Sequence, residues 1–119
     1  SVQHLETPLT ATAHPDADVL QLAGLLHPTP AVGGFPAAPA LARIRELESF
    51  DRGWYAGPVG WVGLDGSGEF SVAIRSALLR GNTATAYAGC GIVANSDPTA
   101  EFVETQLKLK PMLAALGEV

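Results

Sequence analysis

Apolar positions in this chain follow two different periods, and the change between them divides the sequence. In HPDADVLQLAGLL, Val19, Leu20, Ala23 and Leu26 recur at helical spacing. Asp16 stands ahead of them and is a residue type that accepts from a helix's first free amides. A short amphipathic helix capped by Asp16 and closed by Pro28 and Pro30 is therefore predicted. The next stretch, HPTPAVGGFPAAP, holds four prolines and two adjacent glycines, which predicts a bent loop with little regular hydrogen bonding. Its apolar content predicts that it lies against other structure. Pro39, at a first helical position, opens a second helix in which Leu41, Ile44 and Leu47 recur at i, i+3 and i+6. Before all of these, Val2 to Leu9 has extended character.

The period then shortens to two. GPVGWVGLDGSGEFSVAIRSALLRGNTATAYAGCGIV carries turn signals at Asp65-Gly66-Ser67-Gly68 and Arg80-Gly81-Asn82, which predicts a three-stranded antiparallel meander at about 58 to 64, 69 to 79 and 83 to 89. In the central strand Phe70, Val72, Ile74, Ser76 and Leu78 form a core face, and Arg75 emerges opposite among small residues. Ser96, Asp97 and Pro98 introduce a last helix. Phe102, Leu109, Leu113 and Leu116 make its anchoring stripe, while Glu101, Glu104 and Lys108 share an adjoining face. The predicted class is α+β, an antiparallel meander packed with helices.

Composition narrows the function. A chain of 119 residues that is 47 % hydrophobic fits one domain with a buried core. A net charge of −5 without a basic cluster disfavours nucleic acid and anionic membrane as partners. No apolar run is long enough to span a bilayer. The single cysteine, Cys90, has no internal partner and no leader pattern opens the chain, so a reducing cytoplasm is expected. The chain starts at Ser1 without an initiator methionine and in extended sequence, which raises the expectation of a piece of a longer protein.

Several residues invite chemical readings, each beside a plainer one. Glu101, Glu104 and Lys108 suit a Mg²⁺ site, or a solvated helix face with an ion pair between Glu104 and Lys108. Arg75 suits a carboxylate clamp, or a cross-strand salt bridge. Gly89 and Gly91 permit close approach of a ligand to the backbone, or a tight strand exit. Tyr55 is a hydrogen-bond donor to an anion or a packing aromatic, and His4 a ligand contact or a turn residue. His27 braces the proline loop, and Cys90 is a small packing residue with no activating base in view.

Taken together and in order, HLETP, LLHPTPAVGGFP, FDRGWYAGPVGW, GEFSVAIRSA and YAGCGIVANSDPTAEFVETQLK resemble the C-terminal part of the chorismate-utilising enzymes. Within that family the chain looks most like an isochorismate synthase of the siderophore type, on the ending ETQLKLKPMLAALG and on Ala31, where salicylate-forming relatives usually carry Thr. The resemblance implies a large α+β fold of which residues 1–119 form a C-terminal fragment of the catalytic domain. It implies Mg²⁺ held by Glu104, with Glu101 alongside either supporting the ligands or reaching the metal through water, and chorismate as substrate. It also implies that Arg75 and Tyr55 grip the enolpyruvyl carboxylate, that Gly89 and Gly91 line the substrate, and that Lys108 lies near the metal cluster. His4 would approach the ring and Ala31 would shape the pocket. The implied proton-transfer groups, a lysine base and a glutamate acid, are expected upstream of these residues, so the piece alone is expected to be inactive. Covering of its exposed sheet by the N-terminal portion, or by self-association, is expected too. A salicylate or anthranilate synthase, or a non-catalytic binding domain, remains an alternative at this stage.

Overall fold

A computed structural model describes residues 7–117. They form α1 (Val19–Leu26), α2 (Pro30–Gly33), α3 (Ala37–Leu47), β1 (Pro58–Val62), β2 (Gly68–Val72), β3 (Ser76–Arg80), β4 (Thr83–Tyr87) and α4 (Pro98–Ala115). The α+β class holds. Most of the predicted extended stretch at Val2 to Leu9 lies outside the described residues, and Thr7 to Leu9 carry no strand.

Local chemistry explains where the helices begin. α1 is capped by Asp18, not Asp16. The Asp18 carboxylate accepts from the Gln21 amide at 2.7 Å while the Gln21 side chain accepts from the Asp18 amide at 3.2 Å. Asp16 has no such partner three residues on, because Val19 offers no polar side chain. The proline-rich loop contains one helical turn, α2, with Pro30 at its start. α3 begins at Ala37, two residues before Pro39, whose missing N–H falls in the first turn where no helical partner exists. Asp97 caps α4 by accepting from Ala100 at 2.8 Å, and Pro98 takes the first helical position.

The predicted three-stranded meander does not form. β1 and β2 make one antiparallel hairpin, with Gly60 opposite Phe70, and β3 and β4 make another, with Leu78 opposite Thr85. The run 69 to 79 breaks at Ala73 to Arg75. Arg75 has φ 51, a left-handed conformation that cannot continue a strand. Ala73 remains paired with the first hairpin, donating to Gly57 at 2.8 Å and accepting from Ala56 at 2.9 Å. The predicted alternation survives in β2, where Phe70 and Val72 are half-buried and Glu69 and Ser71 exposed. Past the break it is lost: Ile74 is 49 % exposed, and Ser76, Ala77 and Leu78 are all half-buried.

The stripe predicted to anchor α4 is also corrected. Leu109 and Leu113 are half-buried, but so are Glu101, Thr105, Lys108 and Met112, whereas Phe102 is exposed. The helix is held by the loop after β4, through Lys108 Nζ donating to the Gly89 carbonyl at 3.1 Å and Thr105 Oγ1 to Cys90 Sγ at 3.5 Å. Those polar contacts turn the charged face inward and leave Phe102, Val103 and Leu107 bare.

The expected closed core is absent among the described residues: Ala56 is the buried apolar side chain. The chain exposes 9869 Å², against roughly 6,100 Å² for a compact protein of its mass. Val59 and Trp61 of β1 and Phe102, Val103 and Leu107 of α4 contribute to this excess.

A Cβ at Gly60 would run into the Glu69 carbonyl and come within 2.8 Å of Phe70 Cα. Gly60→Ala is expected to destabilise the protein by about 2 kcal/mol or more. A lowered urea midpoint at unchanged slope confirms it, and an unchanged midpoint contradicts this hairpin register.

Candidate functional site

Among the described residues two that are not glycine have positive φ, Ala56 (φ 64), which donates to the Ala73 carbonyl, and Arg75 (φ 51), two residues past Ala73. Together they form the corner where the first hairpin ends. A cavity of about 340 Å³ opens beside that corner. Six of the seven substrate-binding residues proposed from sequence line it: Ala31 from α2, Tyr55 before β1, Arg75 at the break, Gly89 and Gly91 after β4, and Lys108 from α4. His4 lies outside the described residues. The metal candidates Glu101 and Glu104 are not in the cavity wall; they stand on α4 beside Lys108.

Tyr55 is held on three sides. Its ring stacks on Tyr87 at 5.1 Å, and the Arg52 guanidinium lies 5.9 Å from its centroid. On the third side the hydroxyl approaches Gly89 so closely that a Cβ there would lie 3.0 Å from it. The missing side chain of Gly89 therefore accommodates the phenol, whereas Gly91 has open space around it. Burial pushes the Tyr55 phenol up, and the positive charge of Arg52 offsets this only in part. The phenol thus stays protonated at neutral pH and available as a donor.

Lys108 joins the cavity to the carboxylates. Its ammonium donates to the Gly89 carbonyl and pairs with Glu104 at 2.6 Å. Glu101 accepts from the Ser96 hydroxyl at 2.6 Å. That bond, then one from the Cys90 thiol, then the charge of Lys108, hold its carboxyl below the ordinary glutamate range. Among the described residues no three His, Cys, Asp or Glu side chains converge as a complete metal cage. Two carboxylates one turn apart nevertheless suit Mg²⁺, which ordinarily takes one or two from the protein and completes its shell with water and substrate oxygens. The donor set fits a half-site.

Sequence reasoning missed Arg52 and Glu48. Arg52 Nε and Nη2 donate to the two Glu48 carboxylate oxygens at 2.7 and 2.5 Å, and Nη1 donates to the Val32 carbonyl at 2.8 Å. A signal was present, an acid four residues before a base in ELESFDR, but the pair begins beyond the last residue of α3, where helical spacing no longer applies.

Comparison with known proteins identifies relatives of the chain. The profile of a family described as chorismate binding enzyme matches residues 1–117. The isochorismate synthase MenF of Bacillus subtilis (strain 168) is 54 % identical over 98 % of this chain and 25 % of its own length. The salicylate biosynthesis isochorismate synthase of Pseudomonas aeruginosa is 50 % identical over 99 % of this chain and 25 % of its own. A crystal structure of a Bacillus anthracis protein described as a 2,3-dihydroxybenzoate-specific isochorismate synthase, DhbC, superposes with a TM-score of 0.85 at 46 % identity. It covers 89 % of this chain and 28 % of that one. The chain thus spans about a quarter of the length of these curated relatives.

The depressed Glu101 value has a definite sign. The folded state binds this proton less readily than the unfolded chain, so the stabilising contribution is complete above the ordinary glutamate range and is lost as pH falls through the folded-state value. Ser96→Ala should raise the Glu101 titration midpoint toward the ordinary range, read by carboxyl ¹³C NMR. An unmoved midpoint would remove the hydroxyl as its cause.

Proposed function

Because the chain belongs to the chorismate binding enzyme family, we propose that it forms the substrate-carboxylate and metal side of an isochorismate synthase. The observation that carries this reading is the convergence of Ala31, Tyr55, Arg75, Gly89, Gly91 and Lys108, drawn from five segments of the chain, on one cavity. A solvated helix face or a local strand exit gives no reason for such convergence.

In this reading Arg75 presents its planar fork to the enolpyruvyl carboxylate of chorismate, and the neutral Tyr55 phenol donates a further hydrogen bond. The backbone at Gly91, with open space around it, lets the ligand lie close, and Ala31 shapes the opposite wall. Glu104 would hold Mg²⁺, with Glu101 assisting through water; Lys108, now paired with Glu104, would stand beside the ring carboxylate. When bound, the metal would supply positive charge for this carboxylate. Conversion to isochorismate adds a water oxygen to one ring carbon while the vinylogous hydroxyl takes a proton and departs as water. No residue of this chain is assigned either proton transfer; those roles belong to a lysine base and a glutamate acid in the part of the enzyme that packs against these residues. The bare faces of β1 and α4 are where that N-terminal portion, or a second copy, covers the chain. Isochorismate would feed siderophore or menaquinone biosynthesis in a reducing cytoplasm, where Cys90 stays a free thiol.

The test uses the native full-length protein with chorismate and Mg²⁺, with isochorismate followed by chromatography. Arg75→Ala should lower kcat/KM by about 10²- to 10³-fold, the loss of a two-point charged contact. Chelation should abolish turnover and added Mg²⁺ restore it. Absence of isochorismate, or full activity in Arg75→Ala, would remove this reading.

A further inference from the structure

Arg52 ties the end of α3 and the turn before β1 to α2, twenty residues earlier in the chain. Its guanidinium holds Glu48 at the end of α3 by two hydrogen bonds and the Val32 carbonyl of α2 by a third. Its own carbonyl accepts from the Tyr55 amide at 2.9 Å, and its guanidinium faces the Tyr55 ring at 5.9 Å. The pair is half-buried, with side-chain exposures of 26 % for Arg52 and 28 % for Glu48. It is thus less screened than the exposed pair of Arg43 with Glu46, at 66 % and 63 %.

Both segments it touches line the cavity, α2 through Ala31 and Val32 and the turn before β1 through Tyr55. α2 is one turn of four residues, closed by bonds from Gly33 to Thr29 and from Gly34 to Pro30, and a helix so short is marginal without outside contacts. Besides packing on α3, where Gly33 lies against Pro28 and Leu41, the Val32 carbonyl bond secures it from the cavity side. Tyr55 sits three residues past Arg52 in a turn closed by the Arg52 carbonyl. Displacing the guanidinium therefore frees the Val32 carbonyl behind Ala31 and takes the cation from the face of the Tyr55 ring in one change.

Resting on the chorismate reading of the cavity, we propose that Arg52 is a positioning residue. By holding Glu48 and the Val32 carbonyl in one planar fork, it sets the gap between Ala31 and Tyr55 and so governs substrate affinity more than the rate of the chemical step. Lysine cannot replace it. A single ammonium lacks the rigid fork that reaches both carboxylate oxygens and the carbonyl in one plane.

The native full-length protein is compared with Arg52→Lys, Arg52→Met and Glu48→Gln by thermal melting, steady-state kinetics on chorismate and amide hydrogen exchange over residues 29 to 34. Arg52→Lys, which keeps the charge, guards against a variant that merely fails to fold. The expected result for it is a KM raised on the order of 10-fold, kcat changed less than about 3-fold, and faster exchange in 29 to 34 with α4 unaffected. Glu48→Gln should shift KM in the same direction by less, and Arg52→Met by at least as much as the lysine variant. Unchanged exchange in 29 to 34 overturns the proposal, as does faster exchange with an unchanged KM. A fall in kcat that tracks lost melting temperature also overturns it, because it assigns Arg52 a purely structural part. If the unaltered protein leaves chorismate untouched, the functional reading fails by itself, and the exchange measurement still decides whether Arg52 holds the wall.

Discussion

The arrangement depends on one backbone constraint, the corner made where Ala56 and Ala73 pair while Ala56 and Arg75 adopt left-handed conformations. Each such conformation costs a non-glycine residue about 1–2 kcal/mol, so the surrounding structure must enforce it. Two hydrogen bonds at Ala73, one donated to Gly57 and one accepted from Ala56, do so on the hairpin side. The corner stops β2, starts a separate second hairpin and brings Arg75 to the cavity beside Tyr55 and Gly89. Had the chain continued as one strand through residue 79, Arg75 would stand in a continuous sheet face with no cavity at its foot.

Charge organises the rest. In a chain with only seven Lys and Arg residues, three of them, Arg52, Arg75 and Lys108, line one cavity. Each has a different neighbourhood. Arg52 is engaged with Glu48 and the Val32 carbonyl, Lys108 bridges the Gly89 carbonyl and Glu104, and Arg75 occupies the strained corner. The cavity is thus positive on balance within an acidic chain of net charge −5, which suits an anionic ligand of small size. The same polar contacts that draw α4 inward by Lys108 and Thr105 leave its apolar side uncovered, so site geometry and the open surface have a common origin.

What could be read from sequence was the local part. Asp97 and Pro98 announced α4 because capping is a contact between residues three apart, and the Asp65 to Gly68 turn announced a hairpin for the same reason. The cap of α1 was misplaced by two residues because Asp18, unlike Asp16, has Gln21 to return the bond. The break at Ala73 to Arg75 was illegible: Ala, Ile and Arg carry no turn signal, and the left-handed φ is imposed by pairing with a segment sixteen residues earlier. Single site residues each had an ordinary reading. Their order in the chain supplied the family resemblance, and the structure then showed six of them around one cavity, with Glu101 and Glu104 outside it.

In the proposed reading the cavity receives a dicarboxylate ring substrate with one carboxylate on Arg75. The most direct measurement is an experimental structure of the native full-length protein with chorismate and Mg²⁺ bound. The account predicts ligand density between Tyr55, Arg75 and the Gly89 to Gly91 backbone, with the enolpyruvyl carboxylate on the Arg75 fork and the ring carboxylate on the Lys108 side. Chorismate bound away from Arg75, or an Arg75 that remains engaged with protein groups while the cavity stays filled with water, would contradict it.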